Sequence, residues 1–171
     1  PMTATSQKSS CFLENSGISL VYFTLGFWYN ADSFMPIPKI GEVKYKVKKS
    51  SAGLGLFAVE PIKRGTWIIE YVGKILRGKE VTEHPANKYL FETSRARMID
   101  GSVRSNTARY INHSCKPNCE AEIFGGRVFI KAIRRIEAGV ELTYDYGEEY
   151  TGEYIKPHGC RCVPCKKTTD H

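Results

Sequence analysis

The sequence lacks an apolar run long enough to cross a membrane. Its longest such run, residues 18–29 (ISLVYFTLGFWY), is too short for a membrane-spanning helix, which needs about 20 apolar residues. A signal-peptide core can have this length, and Lys8 precedes the run, but no small-residue cleavage site follows it. The aromatic and β-branched residues of the run favour a buried strand instead. We therefore expect no membrane partner.

Long amphipathic helical patterns and internal repeats are also missing. Turn residues instead separate short apolar runs, and the 171 residues suit one domain. Gly125-Gly126 between two such runs predicts a β-hairpin. The other predicted strands cover residues 43–47, 56–59, 67–72, 88–91, 97–99, 127–132 and 140–146. With a single short helix predicted over residues 106–111, the pattern indicates a β-rich domain.

The sequence has only six cysteines, and they are unevenly spread. Three lie together as C-R-C-V-P-C at residues 160–165. Neighbours this close cannot all pair with one another, so a metal site in a reducing compartment explains them better than a disulfide framework. Tetrahedral zinc needs a fourth ligand. The candidates are Cys11, His113, Cys115, Cys119 and His158, and the tail is expected to fold back onto residues 113–119.

Acidic residues are fewer than basic ones, 18 against 25, for a formal charge of +7. An acidic stretch nevertheless covers residues 137–153. Many basic residues crowd the first half: Lys39, Lys44, Lys46, Lys48, Lys49, Lys63, Arg64, Lys74, Arg77 and Lys79. Two interpretations stay open, namely a solvated mixed surface, or a basic face for a polyanion or cofactor with an acidic mouth for a basic substrate.

The G-x-G segment Gly53-Leu54-Gly55 has no helix after it, which argues against a dinucleotide-binding fold. We expect a tight turn over residues 50–55, which either is an ordinary turn or lets the main chain approach a ligand. The segment 112–114 (Asn-His-Ser) offers several donors and acceptors, or simply caps the short helix. Adjacent residues rarely form a hydrolase triad, so we reject that alternative.

Tyr144 and Tyr146 would share one face of a regular strand. Two adjacent phenols can shape a narrow slot with polar tips, or can be ordinary aromatic core packing.

Taken in order, four motifs and the cysteine tail resemble the SET domain of protein lysine methyltransferases over residues 42–165. The motifs are A-G-L-G-L-F-A at 52–58, R-G-T-W-I-I-E-Y-V-G at 64–73, R-Y-I-N-H-S-C-K-P-N-C at 109–119 and G-V-E-L-T-Y-D-Y-G at 139–147.

The resemblance implies a mainly β, β-clip-like fold of several small curved sheets and few short helices. Segments 109–115 and 140–146 would form a knot-like crossing. The implied organisation is a variable extension over 1–41, the SET domain over 42–149 and a post-SET tail over 150–171.

The resemblance also implies the site residues. Tyr146 matches the catalytic tyrosine, Tyr144 the position that governs how many methyl groups are added, and Tyr89 a wall of the lysine channel. S-adenosyl-L-methionine would be held by Gly53, Leu54, Gly55, Arg109, Tyr110, Asn112 and His113. Zn²⁺ would be held by Cys115, Cys160, Cys162 and Cys165, leaving Cys119 as a buried thiol and Cys11 unassigned.

Some features depart from the family pattern. The tail reads C-x-C-x2-C where C-x-C-x4-C is usual, and the insert between Ile75 and Tyr89 is short. No cysteine-rich pre-SET cluster precedes residue 42.

The resulting prediction is an S-adenosylmethionine-dependent protein lysine methyltransferase that acts on a basic peptide such as a histone tail and mainly mono-methylates it. A nucleosome or DNA is a further predicted partner through the basic face, and the expected location is an intracellular, reducing compartment, at chromatin in a eukaryotic cell or host. The alternatives are a non-catalytic SET-like module that binds a peptide or nucleic acid, and a zinc-dependent nucleic-acid binder.

Overall fold

Short strands dominate residues 36–169, the part of the chain that the computed structural model describes, with side chains to residue 166. The predicted strand at 18–29 and Cys11 lie outside these residues. The strands are β1 Tyr45–Ser50, β2 Gly53–Ala58, β3 Trp67–Tyr71, β4 Lys74–Arg77, β5 Leu90–Ser94, β6 Arg97–Asp100, β7 Asn112–His113, β8 Cys119–Phe124, β9 Arg127–Ala132 and β10 Thr143–Tyr144.

The described strands form four small sheets. β1 and β2 form an antiparallel hairpin, and β7 pairs with β10 in parallel. The two larger sheets are antiparallel and have three strands each, in the orders β3-β9-β8 and β4-β6-β5. This arrangement confirms the mainly β class with several small sheets.

The hairpin predicted at Gly125-Gly126 is confirmed. Phe124 pairs with Arg127 across a two-residue loop, and the two glycines have φ values of 57° and 74°. Both angles are in the left-handed region, which the turns of two-residue hairpins favour because their twist matches that of the strands.

The turn predicted over residues 50–55 was too long. The turn comprises only Ser51 and Ala52, and the segment Gly53-Leu54-Gly55 belongs to strand β2. Its three residues pair with Ser50, Lys49 and Lys48 of β1. Leu56 and Ala58 at the end of β2 are fully buried. Strand β2 therefore includes the glycines, and a two-residue turn joins it to β1.

The helices are short, as expected, but more numerous than predicted. The helix predicted at 106–111 is a single 3-10 turn, Thr107–Tyr110. The others are α1 Lys79–Glu83, α2 Glu148–Tyr150, α3 Val163–Thr169, a π-helix Thr151–Ile155 and a 3-10 turn Lys156–His158. Neither α1 nor α2 contains a buried residue, so no apolar period marked them in the sequence.

Segments 109–115 and 140–146 meet beside the core, at the position of the expected crossing. In the parallel β7–β10 pair Thr143 is opposite Asn112 and Tyr144 opposite His113. Buried Asn118, three residues after the first segment, adds two hydrogen bonds to the second: its Nδ2 donates to the Glu141 carbonyl and its Oδ1 accepts from Thr143 N. The largest fully buried side chains around this core include Leu56, Ile68, Ile111, Phe129 and Leu142.

No helix among residues 36–169 is both long and apolar enough to span a membrane.

Candidate active site

Tyr144 and Tyr146 lie side by side, with ring centroids 4.8 Å apart. Tyr144 ends β10, and Tyr146 follows two residues later. The Tyr146 hydroxyl donates to the Ile111 carbonyl at 2.7 Å, and its main-chain N–H donates to Nδ1 of His113 at 3.3 Å. The crossing of the two segments therefore fixes the orientation of both rings.

Both phenols stay protonated near neutral pH. Burial raises the pKa of Tyr144 well above 10, and the neighbouring Tyr146 and Tyr71 add to the effect. Burial likewise raises the pKa of Tyr146, with further contributions from Tyr150 and Tyr71. Groups in this state donate hydrogen bonds and cannot act as bases at pH 7.

A cavity of about 820 Å³ opens over this tyrosine pair. Most of the predicted site residues line it: Gly53, Leu54, Tyr89, Arg109, Tyr110, Asn112, Tyr144 and Tyr146. An adjoining cavity of about 320 Å³ shares Asn112 and Tyr146 with it and adds His113. Gly55 lines neither cavity. The structure thus brings together every predicted catalytic and cofactor residue except Gly55.

Acidic side chains also line the larger cavity. They are Glu92, Glu148, Glu149 and Glu153, the last three from the stretch predicted to form an acidic mouth. Other acids of that stretch are engaged elsewhere, since Glu137 binds Arg135 at 2.5 Å and Asp145 lies 3.6 Å from His113. Three of the four acidic residues that line the cavity therefore come from α2 and the π-helix that follows it.

Tyr89 is held in the cavity wall by its neighbours. The Arg109 guanidinium lies 4.1 Å from the Tyr89 ring centroid, and the same group donates to the Ser102 carbonyl. The hydrogen bond to Arg109 lowers the pKa of Tyr89. Tyr71, which sequence analysis did not identify, donates its hydroxyl to the Tyr89 carbonyl at 2.8 Å and also lines the cavity.

Burial lowers the pKa of His113 against the opposing effect of Asp145. The main-chain N–H of Tyr146 donates a hydrogen bond to Nδ1 of His113. Only a neutral imidazole has a ring nitrogen that can accept this bond.

Glu141 is the main site residue that sequence analysis missed. Its carboxylate accepts hydrogen bonds from Ser50 Oγ at 2.7 Å and from Asn112 Nδ2 at 2.7 Å. Asn112 Nδ2 also donates to the Leu54 carbonyl at 3.0 Å, so the amide is held by two acceptors. A Cβ at Gly55 would lie 2.3 Å from Glu141 Oε1. The second glycine of G-L-G therefore makes room for the Glu141 carboxylate.

Tyr150 and Tyr154 extend the row of aromatic side chains beyond Tyr144 and Tyr146. Tyr150 packs edge-on against Tyr146 with centroids 4.9 Å apart, and Tyr154 lies 4.8 Å from Tyr150. Both line the larger cavity. The sequence Y-T-G-E-Y could have indicated this pair, because residues four apart on a helix lie on the same face.

Four cysteines form a second cluster beside this site. The Sγ atoms of Cys115, Cys160, Cys162 and Cys165 all lie within 4.8 Å of one another. Cys119, by contrast, is buried in the core, and burial raises the pKa of its thiol to about 12. The tail therefore folds back onto residues 113–119 as predicted, with Cys115 in the fourth position.

The family model for the SET domain matches residues 53–147, more than half of the chain. The chain belongs to the SET domain family. The match runs from the first glycine of G-L-G to the glycine after Tyr146, so both tyrosines lie within it. The clustered cysteines of the tail follow the matched part, in the position of a post-SET motif.

Several histone-lysine N-methyltransferases are similar to this SET domain. Histone-lysine N-methyltransferase 2D of Homo sapiens is 36% identical over 135 residues, 72% of this chain and 2% of that protein. Histone-lysine N-methyltransferase trr of Drosophila melanogaster is 38% identical over 136 residues, 72% of this chain and 6% of that protein. The H3 lysine-4 specific enzyme of Yarrowia lipolytica is 38% identical over 125 residues, 66% of this chain and 11% of that protein. The chain thus spans only a small part of these relatives.

The post-SET cysteines fit a zinc ion. Tetrahedral coordination with Zn–S bonds of about 2.3 Å places sulfur atoms about 3.8 Å apart. The Sγ of Cys115 lies 3.8 Å from that of Cys160 and 3.5 Å from that of Cys165.

The short C-x2-C spacing is accommodated by helix α3, which begins at Val163. Cys165 N donates to the Cys162 carbonyl at 3.1 Å, and residues three apart on a helix face the same side. Although burial acts to raise the pKa of Cys162, the main-chain N–H groups of Cys115 and Cys165 lower it to about 7, which favours the thiolate that a metal binds.

Proposed function

We propose that this SET domain is an S-adenosylmethionine-dependent protein lysine N-methyltransferase that acts on histone tails and mainly mono-methylates its substrate. The observation that carries the proposal is the pair of protonated phenols, Tyr144 and Tyr146, at the base of a cavity that Asn112 and the end of β1–β2 also line.

The cavity residues fit the proposed methyl donor. Gly53 has open space on its Cα, and the Leu54 side chain is 53% exposed, so both the main chain and an apolar surface are accessible. Because both Asn112 Nδ2 contacts are made within the protein, Asn112 Oδ1 is the atom left to accept from a ligand ammonium. Leu54, Arg109, Tyr110 and His113 would surround the rest of the molecule.

The reaction needs a neutral lysine amine, although the ordinary pKa of lysine is about 10.4. When bound, S-adenosylmethionine supplies the methyl group on a cationic sulfonium for in-line displacement by this amine. The buried aromatic walls formed by Tyr144, Tyr146 and Tyr150 desolvate the amine and so disfavour its charged form. No dedicated general base is then required, which agrees with two phenols that remain protonated.

The phenol and carbonyl oxygens would stabilise positive charge as it develops on nitrogen. The Tyr146 hydroxyl is held in place by the Ile111 carbonyl at 2.7 Å, so it is oriented before the substrate binds. Tyr144 adds a second hydroxyl group beside it, and a hydrogen bond from this group to the amine would restrict rotation after one methyl transfer. This restriction is the basis for proposing mainly mono-methylation.

A basic peptide complements the acidic side of the cavity, formed by Glu148, Glu149 and Glu153. The similar enzymes named above carry histone-lysine specificity in their names, which supports a histone tail as substrate. Chromatin in the nucleus of a eukaryotic cell or host would be the place of action. DNA or a nucleosome is a further proposed partner.

The proposed domain organisation keeps residues 42–149 as the SET domain and 150–171 as a zinc-binding post-SET tail, after an extension over 1–41. In the tail, Zn²⁺ would be held by the four clustered cysteines. Helix α2 and the π-helix lie between the zinc site and Tyr146, and their Tyr150 packs on Tyr146. Zinc would therefore hold one wall of the cavity in place.

Incubation with labelled S-adenosylmethionine and histones, followed by mapping of modified lysines, tests the function. We expect Tyr146→Phe to lower the rate by at least about 100-fold, the typical effect of losing one hydroxyl that stabilises developing charge. Tyr45→Phe is the matched control, because Tyr45 packs against the core outside both cavities.

The alternative is a non-catalytic SET-like module. Cofactor binding by calorimetry without turnover on histones or a lysate would support that alternative and overturn the proposal.

A further inference from the structure

Two of the basic residues that crowd the first half of the sequence form ion pairs with acidic neighbours. Lys44 pairs with Glu60 at 3.2 Å, and Lys74 pairs with Glu80 at 3.4 Å. Acidic neighbours thus balance part of this charge locally.

A basic surface forms where one segment of the first half meets a distant segment of the chain. Ile62 and Ile136 are joined by two main-chain hydrogen bonds of 2.8 and 2.9 Å, and both side chains are buried. A few residues away, Ala132 exchanges hydrogen bonds with Gly65 and Thr66 at 2.8 and 2.9 Å. The segments 62–66 and 132–136 therefore run side by side.

Four cations lie between these two points of attachment. They are Lys63 and Arg64 on one segment and Arg134 and Arg135 on the other, and all four are exposed. Arg134 also donates to the Lys116 carbonyl at 3.0 Å, which brings exposed Lys116 next to them. We call these five residues, Lys63, Arg64, Lys116, Arg134 and Arg135, the basic patch.

Little negative charge accompanies the basic patch. Among residues 36–169, Arg135 is the only member that forms an ion pair, with Glu137. Like charges held close on neighbouring segments repel one another, and a polyanion relieves that repulsion while releasing its counterions. None of the five residues lines either cavity, so a ligand here leaves the active site open.

We propose that the basic patch binds the phosphate backbone of duplex DNA. This inference deepens the nucleic-acid part of the proposed function by assigning it a surface. Exposed Lys and Arg side chains suit sequence-independent contacts to phosphates. Neither segment 62–66 nor segment 132–136 contains an aromatic residue, so they lack the stacking platform typical of single-strand binders, which favours a duplex. DNA held at the patch would bring a histone tail of the same nucleosome near the cavity.

The test compares two triple variants of equal charge. Lys63→Gln/Arg64→Gln/Lys116→Gln removes three of the five positive charges of the basic patch and leaves Arg134 and its contact with the Lys116 carbonyl in place. Lys39→Gln/Lys46→Gln/Lys49→Gln removes the same charge from exposed residues elsewhere. Fluorescence anisotropy with a labelled 20-base-pair duplex over a series of salt concentrations gives the affinities, and circular dichroism checks that each variant folds.

We expect the patch variant to lose at least about 10-fold in affinity at 50 mM salt and the control less than about threefold. The slope of log K against log salt should decrease in size by about 2 to 3 for the patch variant, since each lost phosphate contact removes about 0.9. Equal weakening in the two variants, or no binding by the unsubstituted protein, would overturn the inference. So would tighter binding of single-stranded RNA or polyglutamate than of the duplex.

Methylation of a free histone peptide separates this inference from the proposed enzyme. The patch variant should methylate the peptide at the unsubstituted rate, because the patch lies outside the cavities. DNA binding without methylation would overturn the enzyme proposal alone, and methylation without DNA binding would overturn the inference alone.

Discussion

At the residue scale, the hydroxyl groups of Tyr144 and Tyr146 have different surroundings. The Tyr146 hydroxyl donates to the Ile111 carbonyl, whereas the Tyr144 hydroxyl makes no hydrogen bond within the described residues. Burial keeps both phenols protonated. The Tyr144 hydroxyl is therefore the one available to limit rotation of a methylated amine.

We expect Tyr144→Phe to shift products from mono- toward di- and trimethyl-lysine, because the slot gains room and loses a hydrogen-bonding group. Mass spectrometry of a methylated histone peptide measures the distribution. Tyr45→Phe serves again as the matched control. An unchanged distribution in Tyr144→Phe would remove the proposed role of this hydroxyl.

Glu141 should act by positioning Asn112, which it holds at 2.7 Å. Glu141→Ala removes one of the two acceptors that hold the Asn112 amide. We expect this variant to bind S-adenosylhomocysteine, which is S-adenosylmethionine without the transferred methyl group, about 10-fold more weakly, corresponding to about 1.4 kcal/mol. Glu141→Gln retains an acceptor for Asn112 and should lose less than about threefold. Isothermal titration calorimetry measures both affinities.

Glu137→Ala is the control variant for Glu141→Ala. Glu137 is exposed, pairs with Arg135 and lines neither cavity. Unaltered affinity in Glu141→Ala would show that Asn112 needs no such support.

At the element scale, the post-SET tail contributes three of the four clustered cysteines and part of the cavity wall. Cys115 precedes β8, whereas the other three cluster cysteines surround the start of α3. A zinc ion would therefore join two elements that are far apart in sequence. Metal binding of this kind adds directly to folding free energy.

We expect Cys162→Ser to lose the zinc, from about one ion per chain to nearly none, because tetrahedral sites need all four ligands. Cys119→Ala should retain it, since Cys119 lies in the core outside the cluster. Metal analysis by mass spectrometry gives the stoichiometry. Zinc retained in Cys162→Ser would contradict the assigned ligand set.

The elements also show where sequence patterns succeed. The β8–β9 hairpin was predicted from two glycines between apolar runs, because its contacts are local. Helices α1 and α2 bury no residues and so carry no apolar period. They form in contact with other parts of the fold, as when Tyr150 packs on Tyr146.

At the scale of the whole molecule, ligand binding should stabilise the fold, since the cavity is built by β1–β2, the crossing segments and the tail together. With S-adenosylhomocysteine at 100 times its dissociation constant, mass action adds about 2.7 kcal/mol. For a domain of this size we expect Tm to rise by about 5–10 °C. Differential scanning fluorimetry measures the change.

Adenosine at the same concentration is the control for that shift, because it lacks the ammonium group proposed to meet Asn112 and should stabilise less. A Tm that does not respond to S-adenosylhomocysteine would contradict the cofactor cavity.

The sequence by itself determined the local features: the β-rich class, the hairpin, the adjacency of Tyr144 and Tyr146 and the clustering of three cysteines. These features depend on neighbouring residues and their periodicity. Only the tertiary structure shows that Glu141 meets Ser50 and Asn112, and that Lys63 and Arg64 lie beside Arg134 and Arg135. Each of these contacts joins residues far apart in the chain, and only the meeting of distant segments in the folded core brings them within reach.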